Sequence, residues 1–310
     1  MNIYRLRRSR VVALFLFTLF SAAICRAESS STPIAVAAAN GTSASSRGIN
    51  FSLSNALQHS SVTGWSDVST PDLSYRLSSH FFADANFPWC FSVQNFVKTK
   101  VNGVVTYPLK QAHNVIGDAT ASGHFEATPG DFHYVASATV GFPTGDSKFG
   151  LSANSTTYNI NNHIEYSLGP FNPDIEIGEG NSSSLLHHAA KKSYTAVGQI
   201  ANFQAGASID LPRKLSLDLE AYEALPLGNQ NIYGTMTKTG KNGKPKTKQV
   251  LEGQGVAEDN GFNAELDIPL ARHFTLGGSY ERGLIQGTDD VGIALTWTLR
   301  APSKHASAAR

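Results

Sequence analysis

Residues 289–300 read DDVGIALTWTLR. Val291, Ile293, Leu295, Trp297 and Leu299 are apolar, and the residues between them, Gly292, Ala294, Thr296 and Thr298, are small or polar. Successive side chains on a strand point to opposite faces, so this stretch predicts a β-strand with one apolar side and one small, polar side.

The same period of two recurs upstream. Phe132, Tyr134, Ala136, Ala138, Val140 and Phe142 alternate with His133, Ser137, Thr139 and Gly141, with Val135 the one apolar exception. Tyr158, Ile160, Ile164, Tyr166 and Leu168 alternate with Asn159, Asn161, His163, Glu165 and Ser167. Leu215, Leu217, Leu219 and Ala221 oppose Ser216, Asp218, Glu220 and Tyr222. Phe262, Ala264, Leu266 and Ile268 oppose Asn263, Glu265 and Asp267, and Phe274, Leu276 and Tyr280 oppose Thr275, Ser279 and Glu281. Less regular strands are expected at 73–82, 87–98, 117–126, 173–182, 194–211 and 231–239. Between 55 and 300 no long stretch repeats its apolar residues at helical spacing. The breaks FPWC, FPTGD, GPFNPD, DLPRK, LPLGN and IPLARH carry Pro or Gly, which end strands because Pro cannot donate to a ladder and Gly adopts turn conformations.

Long amphipathic strands suit a soluble sandwich or a membrane barrel. Aromatics near the ends of the apolar faces, and small, acidic and amide residues on the other faces, favour the barrel. The expected fold is all-β, an antiparallel transmembrane β-barrel of about 12 strands. Its apolar sides, including Val291 to Leu299, meet lipid.

In that setting DVGIALTW resembles the C-terminal strand that the barrel insertion machinery recognises, with Gly292, Leu295 and Trp297 on the barrel-closing strand. The polar tail, residues 301–310, extends past it.

The N-terminus has the pattern of an export signal. Arg5, Arg7, Arg8 and Arg10 precede the run VVALFLFTLFSAAI, shorter than the roughly 20 residues of a spanning helix, and Ala27 is a small cleavage residue. We expect a signal peptide at 1–27, a flexible Ser/Ala-rich leader at 28–60, the barrel at 61–300, and a cell outer membrane location reached by cleaved export. Cleavage leaves Cys90 as the one thiol, so no disulfide framework exists. It also leaves 20 Lys+Arg against 24 Asp+Glu, a net charge of −4, which is not that of a nucleic-acid binder.

The stretches SATVGFPTGD, YNINNHIEYSLGPFNPDIEIGEGNSS and GGSYERGLIQGTDDVGIALTW resemble the outer-membrane barrel family encoded beside phenol meta-pathway degradation enzymes, with Pro143-Thr144-Gly145-Asp146 the most specific part. The resemblance implies a transporter-like barrel of the twelve-strand class and passage of small organic molecules, with hydrophobic or aromatic solutes and outer-membrane lipid as partners. It carries no catalytic residue, cofactor or metal ligand.

The polar faces hold the lumen-lining candidates Arg76, His163, Glu165, Asp174, Glu176, Asp218, Glu220, Glu265, Asp267 and Glu281. Facing a lumen, they would favour cations or neutral polar solutes. Paired with Arg76, Arg282 and loop lysines, they would instead form a structural plug. Lys238, Lys241, Lys244, Lys246 and Lys248 fall in one segment, expected as an outer-surface loop that attracts anionic headgroups or serves as a solvated hairpin tip. His187-His188 with Lys191-Lys192 lacks a third ligand in sequence and reads as a polar connection. The weak enzyme signals, His59 to Ser61 and Gly145 to Lys148, are two-residue matches, so no enzymatic role is expected. The reading is a passive channel. A closed structural barrel and a soluble secreted β-rich binding protein are the rivals.

Overall fold

The computed structural model describes residues 48–300 except 62, 97–98, 102–103, 107, 147–148, 150, 154, 182–198, 228–230, 240–244, 255–257 and 286. The expected signal peptide, the tail at 301–310, the His187-His188 segment, Lys241 and Lys244 all lie outside the described residues.

The strands are β1 (Gly48–Ser60), β2 (Gly64–Arg76), β3 (Phe81–Asn86), β4 (Trp89–Phe96), β5 (Thr99–Val101), β6 (Val104–Thr106), β7 (Leu109–Ile116), β8 (Ala119–Ala127) and β9 (Phe132–Phe142). They continue as β10 (Thr157–Tyr166), β11 (Phe171–Gly180), β12 (Ile200–Leu211), β13 (Leu215–Pro226), β14 (Asn231–Thr239), β15 (Pro245–Gln254), β16 (Asp259–Ala271), β17 (Phe274–Gly283) and β18 (Thr288–Arg300). The order β1-β18-β17-β16-β13-β12-β11-β10-β9-β8-β3-β2 returns to β1 through the β1–β2 pairing, which makes a closed 12-stranded antiparallel barrel.

Closure is made by the stretch quoted first. Along β18, Leu53 faces Trp297, Ala56 faces Ala294 and His59 faces Val291, an unbroken register that leaves neither strand with a free edge. Exposure alternates as the sequence predicts. Ile293 is 57% exposed, whereas Ala294 is 5% and Thr296 9% exposed.

The two ends of the barrel differ. At the end holding Gly48 and Arg300 the connections are short: 77–80, 128–131, 167–170, 212–214 and 272–273. At the other, the loop end, β14–β15 forms a separate two-stranded hairpin, and β4, paired with β2 through Ser69–Trp89, Val68–Cys90 and Asp67–Ser92, continues with β7 as a second hairpin carrying β5 and β6.

The structure revises several expected boundaries. Gly48–Ser60, placed within a leader, is a full barrel strand paired on both sides. The strand expected at 73–82 is two, because Ser78 Oγ accepts from the backbone N–H of His80 and of Phe81 and turns the chain. The expected strand at 194–211 begins, among the described residues, at Ile200. In the DLPRK break, Arg213 and Lys214 adopt φ of 68° and 63°, the left-handed conformation that lets a three-residue connection reverse the chain.

Candidate functional site: the barrel interior

Register assigns every barrel residue a face, because directly opposed residues share a side. Val291, Ile293, Leu295, Trp297 and Leu299 mark the outside. Counting from them across the ladders puts Leu276, Leu266, Leu217, Ile209, Ile175, Ile164 and Tyr134 outside as well.

The outer surface is apolar, with aromatics near both rims. Phe81, Phe132, Phe171 and Phe274 ring the short-turn end, and Trp65, Trp89, Phe91, Phe142 and Phe262 the loop end, all of them exposed. Neighbouring rings pack at van der Waals range, with Phe132 and Tyr166 4.7 Å and Phe81 and Phe125 5.2 Å between centroids. Exposed apolar surface of this extent marks a face that meets a partner or a membrane. Arg282, expected beside the interior acids, stands instead on the outer face near the loop-end rim. Its Nη1 lies 3.1 Å from Asp289 Oδ1, and Tyr280 Oη donates to the same oxygen at 2.6 Å. This pairing explains how Asp289, only 3% exposed, is tolerated there.

All ten lumen-lining candidates lie on the inner face. One cross-strand row runs Glu165–Asp174–Gly206–Glu220–Asn263–Glu281–Asp290 through β10, β11, β12, β13, β16, β17 and β18. The next rows toward the short-turn end place Asp218 beside Glu265 and Ser216 beside Asp267, and the next row toward the loop end places His163 beside Glu176. Asp174 lies within electrostatic reach of Glu220, Glu165, Asp218 and Glu176. Polar neighbours support individual carboxylates. Asn263 Nδ2 donates to Glu220 Oε2 at 3.0 Å, and Ser216 Oγ donates to Asp218 Oδ2 at 3.1 Å.

Glycines make room for these groups. A Cβ on Gly277 would lie 3.1 Å from Asp267 Oδ1 and 3.6 Å from Glu265 Oε1, so its missing side chain is the space both carboxylates use. On the inner faces of β10–β13, β16 and β17, no described position carries Lys or Arg. The basic group nearest these carboxylates on their own strands is His163, whose Nδ1 is 3.9 Å from Glu176 Oε2.

The wall of β2, β3, β8 and β9 is different, and here the structure adds residues the sequence reading did not single out. Arg76 Nη2 bonds Glu126 Oε2 at 2.7 Å, and Glu126 Oε1 lies 3.2 Å from His133 Nε2. The Arg76 guanidinium also sits 4.9 Å from the Phe82 ring centre, and Phe82 stacks on His124 at 4.3 Å. His124 Nε2 meets Asp84 Oδ2 at 2.5 Å. Here cationic and acidic groups are matched. Between the two, β18, β1 and β2 present small neutral residues inward: Ala294, Thr296, Ser54, Ala56, Gln58 and Ser66.

Of the weak catalytic signals, Ser147 and Lys148 lie outside the described residues, and the first, at His59 to Ser61, is split between the two faces. His59 faces outward, edge-on to Trp65 at 4.8 Å, while Ser60 faces inward. Gly145 is packed against backbone in a loop. Among the described residues no group of three or more His, Cys, Asp or Glu could hold a metal ion. Of the lysine segment, Lys238 lies on β14 directly opposite Lys246 on β15, and Lys248 is opposite Met236.

No protein-family model and no curated protein sequence matches the chain. Solved structures match by fold. An outer membrane channel from Pseudomonas putida F1 superimposes with a TM-score of 0.55 at 11% identity, covering 85% of this chain and 98% of that one. The Pseudomonas putida toluene transporter TodX gives 0.46 at 10% identity (88% and 95% covered), and the NanC porin 0.45 at 7% (81% and 100%). At the first of these scores the likeness shows one thing, that the chain has the fold of an outer-membrane barrel.

Proposed function

We propose that the chain is a passive outer-membrane channel that prefers cations and neutral polar solutes. The observation that carries this reading is the acidic inner wall of β10–β13, β16 and β17, with no described Lys or Arg on its inner face. A wall of fixed negative charge attracts cations and repels anions along the path of permeation. The outer apolar face with aromatics at both rims supports a bilayer setting, since strands expose such a surface stably only to lipid. The longer loops then face outward and the short turns the periplasm. The middle stretch of β18, β1 and β2, with Ala294, Thr296, Ser54, Ala56, Gln58 and Ser66 inward, offers a neutral patch beside the acidic wall. That is compatible with the small organic solutes implied by the resemblance to phenol meta-pathway barrels.

Planar-bilayer recording under a KCl gradient tests the proposal. The expected result is discrete conductance steps with a cation-selective reversal potential, and a shift toward the non-selective value in Glu265→Gln/Asp267→Asn. Anion selectivity would remove the acidic wall from the permeation path. A barrel that is intact by its boiled-versus-unboiled gel shift but passes no current would favour the closed structural alternative.

A further inference from the structure

We infer that Asp118 is a positioning residue for the loop-end mouth, clasping Gly145 and Ala153 of the β9–β10 connection against the strand break at the base of the β4–β7 hairpin. The mouth role rests on the channel reading above; the clasp itself does not.

Two adjacent strands are interrupted at the same level. One passes from β3 to β4 through Phe87 and Pro88, and its partner passes from β7 to β8 through Gly117 and Asp118. A single backbone bond spans the break, Gly117 N–H to Pro88 O at 2.9 Å. Pro88 has no N–H to donate and also restrains the residue before it, so the ladder cannot run through. Beyond the break, β4 and β7 pair with each other, and among the described residues β7 has no strand on its other side. An edge left this way exposes unpaired backbone.

The connection from β9 to β10 takes the place of the missing strand. Asp146 N–H donates to Ile116 O at 3.0 Å, Asp118 N–H to Leu151 O at 3.0 Å, and Asn95 Nδ2 to Phe149 O at 2.7 Å. The Asp118 carboxylate holds both limbs of this connection, Oδ1 accepting from Gly145 N–H and Oδ2 from Ala153 N–H, each at 2.9 Å. Thr144 Oγ1 completes the seam, donating to Gly117 O at 3.1 Å and accepting from Ala119 N–H at 2.9 Å. Gly145 lies so close that a Cβ there would be 2.7 Å from Gly117 C and 2.9 Å from Asp118 N. The Pro143-Thr144-Gly145-Asp146 sequence is thus the docking face of the clasp.

The order of twelve strands closes without these contacts, so the clasp fixes the β4–β7 hairpin, which is joined to the ring on its other side by the pairing of β4 with β2. Charge-assisted bonds from one carboxylate to two N–H groups are the strongest members of the seam. Their loss leaves two partly buried donors unsatisfied.

The test uses the full-length protein with Asp118→Ala and Asp118→Asn. Three measurements are made: the gel heat shift, single-channel recordings, and amide exchange at Gly145 and Ala153. The expected result is an unchanged heat shift, exchange faster by about tenfold or more at both amides in Asp118→Ala, and more frequent transitions between conductance levels. Asp118→Asn, which keeps one acceptor oxygen, should fall between. Exchange at wild-type rates in folded Asp118→Ala overturns the clasp. Faster exchange with unaltered recordings overturns the mouth role alone. Loss of the heat shift in both variants would make Asp118 part of the barrel's own fold and overturn the positioning assignment. A wild-type protein without conductance would sink the channel reading and leave amide exchange to decide the clasp.

Discussion

Arg76 is held by Glu126, with Nη2 2.7 Å from Oε2, and that carboxylate lies 3.2 Å from His133 through its other oxygen. The inward-facing guanidinium on β2 is therefore neutralised within its own wall, and the acids on β10–β17 are left to set the sign of the interior. Arg76→Gln would remove the positive partner and release a full negative charge at Glu126. Cation preference, read as the reversal potential in a salt gradient, should increase, with the gel heat shift retained. A decrease would mean that Arg76 does not face the permeation path.

Leu295 lies on the outer face midway along the closing strand. Leu295→Arg should destabilise the barrel in bilayers by about 2–4 kcal/mol, the cost of a lipid-facing arginine near the midplane. The neighbouring inward change Ala294→Ser should cost much less. Reversible urea unfolding in lipid vesicles measures both, and equal costs would contradict the assignment of faces.

Cys90 is 2% exposed and free. In the folded barrel a hydrophilic maleimide should label it at least tenfold more slowly than in urea, since a thiol reacts as exposed thiolate. Rapid labelling of the folded form would show the base of the β4–β7 hairpin to be open.

Lys238 and Lys246 are register partners on β14 and β15, in a segment whose sequence is rich in lysine. Replacing Lys238, Lys246 and Lys248 with Gln should weaken association of the purified protein with vesicles containing phosphorylated headgroups and leave neutral vesicles unaffected. An equal effect on both would assign these lysines to solubility alone.

The strands that could be read from sequence were those with one face apolar and the other polar at nearly every position. β9, β10, β13, β16 and β18 were visible because each alternate residue meets a different solvent. β1 alternates as well, with Ile49, Phe51, Leu53 and Leu57 outward, but its Ser and Ala content matched that of the preceding leader. β7 lacks the pattern because it stands above the ring, and Asn114 there takes a φ of 54° that disturbs the alternation. The interior acids were legible by parity alone. Glu126, His124 and His133 were not, since their significance comes from long-range pairing with Arg76 and Asp84, which no local spacing encodes. The Pro-Thr-Gly-Asp stretch stood out as a turn, while its partner Asp118 gave no signal of its own.

The seam between β1 and β18 joins Phe51 to Trp297, their rings 6.0 Å apart, so this pairing links nearly the two extremes of the described chain. Contacts of such sequence separation form slowly, because the closing entropy of the whole intervening chain precedes any reward. Without that seam, β1 and β18 would each present an unpaired backbone edge, the kind of surface that pairs with other chains.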